Sequence, residues 1–198
     1  MRMCVTGALF VLVIGTQLYA DMTNLLTPSF AWQKELSQKK NKTILDYYLL
    51  LPSEYLDCEN VTSGFPTVEE RKKLCRLIDE KNGYIQFFNV AEIALFKNRK
   101  DSIDFVVLQI GKCGAGATCG GVNTVLQYSS SKNCWIIRDD LLPEGFSFDL
   151  LYDAYSEEDK CPYFKLPQKG VVIEIRDENT EEVLKSLKWN GMRFIADK

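Results

Sequence analysis

The chain has 198 residues, with 24 Lys and Arg against 27 Asp and Glu, no histidine and a formal net charge of −3. A mildly acidic chain without a sustained basic stretch is poorly suited to a phosphate backbone, so no nucleic-acid partner is expected. The lack of histidine excludes Ser-His and Cys-His nucleophilic catalysis.

Residues 1–20 have the layout of a secretory signal peptide. Arg2 precedes a short apolar stretch, and the segment ends on Ala20 before Asp21. The apolar stretch is shorter than the roughly 20 residues that span a bilayer, so no transmembrane segment is expected after cleavage. The sequence therefore predicts an exported protein, periplasmic or secreted, whose residues 21–198 form a single domain.

The remaining cysteines are even in number, which favours disulfides in an oxidising compartment. Sequence alone leaves 15 pairings open. The preferred pairs close short or moderate local loops, and they are Cys58–Cys75, Cys113–Cys119 and Cys134–Cys161.

Residues from about 30 to 82 are predicted to be helical. The stripe of Ile44, Leu45, Tyr48 and Leu49 has helical spacing, and Pro52 ends or restarts that helix.

The stretch GFPTVEERKKLCRLIDEKNG gives the clearest helix signal. Thr67 and Glu70 form a capping box, and Leu74, Leu77 and Ile78 are expected to be buried. Asn82-Gly83 then supplies the turn that ends the helical region.

From about residue 83 the period becomes strand-like, and β-branched and aromatic runs are separated by polar turns. The run IDFVVLQI is apolar on both faces apart from Asp104 and Gln109, which predicts a central strand. Asn190-Gly191 indicates a hairpin. Eight strands are predicted, at 84–88, 92–97, 103–110, 122–128, 134–138, 171–176, 183–189 and 192–195. The expected fold is α+β, with N-terminal helices packed on a mainly antiparallel meander.

Residues 112–121, KCGAGATCGG, resemble three kinds of site and match none of them. The cysteine spacing is wrong for a zinc knuckle and for a redox dithiol, and the glycines do not form G-x-G-x-x-G before a helix. The interpretation that remains is a disulfide-closed hairpin loop. An exposed loop of this kind is a suitable contact for a partner, which makes Gly114, Gly116 and Thr118 candidate binding residues.

Tyr128 and Trp135 complete the candidate binding residues, because alternate strand residues could line an exposed face. The alternative is that both are core residues, since large aromatic side chains in strands are usually buried.

Two further patterns give no site. Ser129-Ser130-Ser131-Lys132 matches S-x-x-K but lacks the companion motifs and lies between two strands, which indicates a hairpin turn. The acidic residues between Asp149 and Asp159 lack EF-hand spacing. No metal, cofactor or catalytic residue is predicted.

The order ILDYYLLLP, AEIALFKN, a cysteine-bearing hairpin, DDLLP and LKWNGMRFI resembles a loose group of uncharacterised exported bacterial proteins. The resemblance implies an envelope location and no activity.

These observations favour a non-enzymatic binding protein of the bacterial envelope, an inhibitor being one form of it, whose partner is an envelope or extracellular protein or macromolecule. The alternatives are a periplasmic hydrolase that uses carboxylates and a structural envelope component. The hydrolase would need two acidic groups about 5–9.5 Å apart and one raised pKa.

Overall fold

The computed structural model describes residues 30–56, 67–88, 91–98, 100, 103–111, 122–144, 146 and 160–197. The signal-peptide prediction and the region around residues 149–159 lie outside them. Within this part of the chain, no helix has both the length and the apolar character needed to cross a membrane. The helices are α1 Ala31–Ser37, α2 Ile44–Leu50 and α3 Val68–Lys73, with 3-10 turns at Ser53–Tyr55 and Asp139–Leu141. The strands are β1 Cys75–Asp79, β2 Tyr84–Phe87, β3 Ala91–Lys97, β4 Asp104–Ile110, β5 Val122–Ser129, β6 Cys134–Ile137, β7 Pro162–Lys165, β8 Val172–Asp177, β9 Val183–Trp189 and β10 Phe194–Asp197.

Two of the helices begin at capping boxes. Thr43 accepts a hydrogen bond from the backbone of Asp46, whose carboxylate accepts one from the backbone of Thr43. Thr67 and Glu70 form the same pair at the start of α3, as the sequence predicts. Each box satisfies backbone N–H groups that the first helical turn leaves without partners.

The predicted helix beyond Thr67 is wrong in its second half. Helix α3 ends at Lys73, and Cys75–Asp79 forms strand β1, paired antiparallel with β2. Leu77 and Ile78, expected to be buried, are 37% and 38% exposed on this edge strand. An apolar run as short as Leu74, Leu77 and Ile78 is compatible with a helix or a strand. Here backbone pairing with β2 makes it a strand.

Six strands form a large antiparallel sheet in the order β1-β2-β3-β4-β5-β6. Strand β4 lies inside it and is buried over nearly its whole length, which confirms the central strand predicted from IDFVVLQI. One face carries Ile85, Phe87, Ile93 and Leu108, which pack with α2 in one apolar core. We call this the helix-covered face.

The other face of the large sheet is covered by a small sheet with the order β10-β9-β8-β7. Its apolar core joins side chains of the large sheet such as Phe96 and Val107 to Phe164, Ile175 and Phe194 of the small sheet. The molecule thus has three layers: helices, large sheet and small sheet. We call this second face the sheet-covered face.

The α+β class and the antiparallel pairing are confirmed, and each of the eight predicted strands has a counterpart. The single meander is replaced by two sheets. Strands β1 and β7 were not predicted, the latter because its first residue is Pro162, which a strand tolerates at its start or edge. The Asn190-Gly191 turn is confirmed. Gly191 has a φ of 97°, and Asn190 Oδ1 accepts hydrogen bonds from the backbone N–H groups of Met192 and Arg193.

A buried arginine joins helix α3 to the end of helix α2. Arg71 is fully buried, and its guanidinium donates to the carbonyls of Leu49 and Leu51 at 3.0 and 2.5 Å. Gln33 donates to the same two carbonyls. Since the last carbonyls of α2 have no partner within the helix, these two side chains take the place of a backbone cap.

Candidate functional site

The sheet-covered face carries a line of polar side chains that crosses four neighbouring strands. In the strand register Gln86 pairs with Glu92, Glu92 with Gln109, and Gln109 with Asn123. Because paired residues point to the same side of a sheet, the four side chains form one row, which we call the polar row.

The polar row lies at one end of the apolar core between the two sheets. The next residues inward on the same face are Ala94, Val107 and Val125, which belong to that core. Strands β4 and β5 stop beside the row at Ile110 and Val122, so the segment 111–121 connects them there. We call this end of the large sheet the loop end.

Glu92 is the charged member of the polar row and is 4% exposed. Its carboxylate accepts hydrogen bonds from Lys165 Nζ at 2.6 Å and from the backbone N–H of Leu166 at 2.9 Å. The pKa of Tyr84 is raised, chiefly by burial and then by the charge of Glu92. The buried carboxylate therefore has a counter-charge and a backbone donor, as such a group requires.

The two amides of the row differ in their partners. Gln109 is 2% exposed, and its Nε2 donates to the carbonyl of Gly111, which has a φ of 72°. Among the described side chains, the one buried polar atom without a hydrogen-bond partner is Oδ1 of Asn123. Buried acceptors are rarely left without a donor, so this oxygen is the feature of the row that needs an explanation.

The candidate binding residues Gly114, Gly116 and Thr118 lie in the segment 112–121, outside the described residues. Tyr128 and Trp135 are described, and they do not form an exposed binding face. They are 9% and 2% exposed in the helix-covered core, where Trp135 Nε1 donates to the carbonyl of Leu50 at 3.0 Å. The alternative interpretation of these two aromatics as core residues is the one that the structure shows.

Two of the preferred disulfides are wrong. Cys75 and Cys134 carry free thiols, which excludes Cys58–Cys75 and Cys134–Cys161. Cys161 is disulfide-bonded. Short loop closure was a poor guide because pairing depends on Cα separation and direction, which the sheet register sets. The pair Cys113–Cys119 lies in segment 112–121 and stays a prediction.

The polar row was not predicted from the sequence. A signal for it exists, because AEIALF, VVLQI and VNTVL each place one carboxylate or amide side chain within a mainly apolar strand. The strand register, which brings these residues side by side, depends on loop geometry that local patterns do not give.

The described carboxyl groups with a displaced pKa are all displaced downward. The pKa of Asp79 is lowered by a hydrogen bond from Asn82, that of Asp140 by Arg138, and that of Asp177 by the backbone N–H of Cys161. Within the same part of the chain, no group of three or more His, Cys, Asp or Glu side chains is placed to hold a metal ion.

No family model and no curated protein matches this chain. Among solved structures, a domain of an uncharacterized protein from Porphyromonas gingivalis W83 is similar at 13% identity and a TM-score of 0.37. The match covers 72% of this chain and 95% of that one. It is a distant bacterial neighbour.

Proposed function

We propose that the protein is an exported, disulfide-stabilised binding protein of the bacterial cell envelope. It recognises another envelope protein or an extracellular macromolecule at the loop end of the large sheet. The observation that carries the proposal is the buried oxygen Oδ1 of Asn123, which has no donor in the described structure and lies beside the segment 111–121.

An acceptor buried without a donor destabilises the folded protein by about 1–3 kcal/mol. Because this oxygen has no accessible surface, a partner reaches it only when the chain that covers it moves aside, and an N–H or O–H group of the partner then removes this cost. The amide is held on a central part of a six-stranded ladder, so its orientation needs little ordering when the partner arrives.

The charge of the row further defines the partner. Glu92 is neutralised by Lys165, so the acceptor left for a partner is the neutral amide oxygen of Asn123. A neutral acceptor selects for hydrogen-bond donors rather than for cations, which suits a polar protein segment or a hydroxyl-rich polymer.

The proposed export depends on the first twenty residues and on oxidised cysteine. Cys161 is disulfide-bonded, and disulfides persist in the oxidising compartments outside the cytoplasm. If export is correct, the intact mass of the protein from its own host corresponds to a chain that begins at Asp21. A mass that includes residues 1–20 contradicts this part of the proposal.

The rival hydrolase receives no support from the described carboxyl groups. A general acid at neutral pH needs a raised pKa, whereas the displaced pKa values of Asp79, Asp140 and Asp177 are lowered.

The test is an affinity capture of the mature protein from its own envelope, compared between two variants. Asn123→Ala removes the unpartnered acceptor. The control is Gln127→Ala. It removes an amide from the same face of β5, at the opposite end of that strand, where Gln127 pairs with Ile136 of β6.

We expect Asn123→Ala to weaken binding of the captured partner about 10-fold, which corresponds to about 1.4 kcal/mol. Gln127→Ala should retain wild-type affinity. Equal binding by all three proteins places the interface elsewhere. Failure to capture any specific partner favours the structural envelope component.

A further inference from the structure

The turn Ser129-Ser130-Ser131-Lys132 contacts a lysine from a distant part of the chain. Residues 130–133 form the tip between β5 and β6, as the sequence predicts. Ser130 is exposed, and its hydroxyl lies 3.1 Å from Nζ of Lys42, which precedes helix α2. This pair lies at the opposite end of β5 from Asn123, about 20 Å away by the rise per residue of a strand. We call this end of the large sheet the hairpin end.

Lys42 has an unusual environment for a lysine. It is 8% exposed and belongs to none of the ion pairs among the described residues. Its Nζ donates to the carbonyl of Lys39 at 2.6 Å and lies 5.6 Å from the ring centre of Tyr128. The nearest acidic side chain along the chain, Asp46, is paired with Lys39 at 2.6 Å instead.

The surroundings of Lys42 make its amine easier to deprotonate than that of an exposed lysine. Burial is the largest effect and lowers its pKa; the charge of Lys39 lowers it further, whereas Asp46 and Asp104 raise it. Asp104 also accepts a hydrogen bond from the hydroxyl of Tyr47 at 3.1 Å. In the structure Nζ of Lys42 donates to Oγ of Ser130; once it has lost a proton, it can accept the hydroxyl hydrogen of Ser130 while it still donates to the carbonyl of Lys39.

The turn holds Ser130 in place. The hydroxyls of Ser129 and Ser131 lie 3.2 Å apart, and Tyr128 donates to Asn133 Oδ1 at 2.6 Å. Asn133 adopts a φ of 51°, which closes the turn into β6. A nucleophile fixed at an exposed turn tip is accessible to an acyl group carried by another molecule.

We propose that Ser130 and Lys42 form a nucleophilic dyad that takes an acyl group from an ester. The Oγ of Ser130 bonds to the ester carbonyl carbon, and its proton passes to Nζ of Lys42. The carbon–oxygen bond to the leaving alcohol breaks, and Lys42 returns the proton to that alcohol. Water then attacks the seryl ester and gives one proton to Lys42; the bond between the acyl carbon and Oγ breaks, the acid leaves, and Lys42 returns the proton to Oγ of Ser130. The dyad needs no histidine, which this chain lacks.

The test uses the full chain and a fluorophosphonate probe, which phosphonylates an activated serine with loss of fluoride. We expect stoichiometric labelling that peptide mass spectrometry places on Ser130. Ser130→Ala should abolish it, and Ser186→Ala, on strand β9 outside the turn, should leave it unchanged. Labelling of unrelated serines, or no labelling of the folded chain, overturns the proposal.

Two lysine variants separate chemistry from structure. Lys42→Met removes the base and should lower the labelling rate at least about 100-fold. Lys42→Arg keeps a donor for the carbonyl of Lys39 but stays protonated, so it should lose labelling as well. Retained labelling in Lys42→Arg shows that Lys42 only positions the turn.

A measurement on the wild-type chain covers the case in which these variants do not fold. The labelling rate should rise with pH to a plateau, with a midpoint below the 10.4 of an ordinary lysine. A midpoint at or above that value contradicts the role of Lys42 as a base. Binding at the loop end can fail its own test without affecting any of these outcomes.

Discussion

The polar groups at the two ends of the large sheet lie on opposite faces, and they differ in whether they have a hydrogen-bond partner. At the loop end the polar row lies on the sheet-covered face, and Asn123 Oδ1 is an acceptor without a donor. At the hairpin end Lys42 and Ser130 lie beside the helix-covered face and contact one another. An acceptor without a donor suits recognition of a partner, whereas a desolvated amine beside a hydroxyl suits proton transfer.

The comparison also shows what joins the two ends. Between them the large sheet packs against one apolar core under the helices and another under the small sheet. We call this region the platform; it keeps the polar groups at fixed positions, because close-packed cores have low compressibility. The following predictions compare the contribution of the apolar cores to stability with that of individual polar groups.

The largest effect is expected in the platform itself. Leu108 is fully buried in the helix-covered core between Ile93 and Thr124. Leu108→Ala should lower the free energy of unfolding by about 3 kcal/mol through lost burial and a residual cavity, measured by urea denaturation. Ile137→Ala, at a position 41% exposed, is the control and should change it by less than about 0.5 kcal/mol. Similar losses in both variants would show that the core does not carry the stability.

A smaller effect is expected from the ion pair of the polar row. Lys165→Met leaves the buried carboxylate of Glu92 without its counter-charge and should cost about 1 kcal/mol, since Lys165 is 46% exposed and screened by solvent. In a Glu92→Gln background the same substitution should cost close to nothing, which a double-mutant cycle measures. An equal cost in both backgrounds would mean that the ion pair does not stabilise the loop end.

The stability of the small sheet should depend on acid through Asp177. This carboxylate accepts hydrogen bonds from the backbone N–H of Cys161 at 2.8 Å and from Thr180, which lower its pKa in the folded protein. The contribution of Asp177 to the free energy of unfolding is therefore fully present above the pKa of the unfolded state, near 3.9. It is lost as the pH falls through the lower pKa of the folded state. The stability difference between wild type and Asp177→Asn should shrink between pH 5 and pH 2 in urea titrations. A difference that stays constant over this range would contradict the assignment.

The smallest effect concerns Cys75, which borders the helix-covered face at the loop end. Burial raises the pKa of its thiol to about 11. Alkylation of Cys75 in the folded protein should therefore increase with pH up to a midpoint near that value, whereas in urea the midpoint falls near 8.5. Peptide mass spectrometry distinguishes Cys75 from Cys134. A folded-state midpoint near 8.5 would show that this corner of the core admits water.

The sequence predicts the strands well because period-2 alternation and turn residues act locally. The Asn190-Gly191 hairpin is confirmed for that reason. The capping box at Thr67 and the continuous apolar run of β4 are also local signals, and both are confirmed. The end of α3 and the start of β1 are not predicted, since Leu77 and Ile78 fit both periods and only pairing with β2 separates them.

The candidate sites are less predictable, because each joins residues that are distant in the chain. Glu92, Gln109 and Asn123 meet only through the register of three strands, and Lys42 is 88 residues from Ser130. Tyr128 and Trp135 were candidates for an exposed face, but the strand register places them under α2 instead.

Site-specific photo-crosslinking in the native envelope tests the central claim most directly, namely that the loop end binds the partner. A photoreactive p-benzoylphenylalanine replaces Asp139, an exposed residue next to Arg138, whose backbone N–H donates to Val125 on the strand that carries Asn123. In a second variant it replaces Met192, which is 53% exposed in the turn between β9 and β10. The account predicts a crosslinked partner from position 139 that is lost when Asn123→Ala is added, and none from position 192. The same adduct from both positions, or an adduct from position 192 alone, would contradict it.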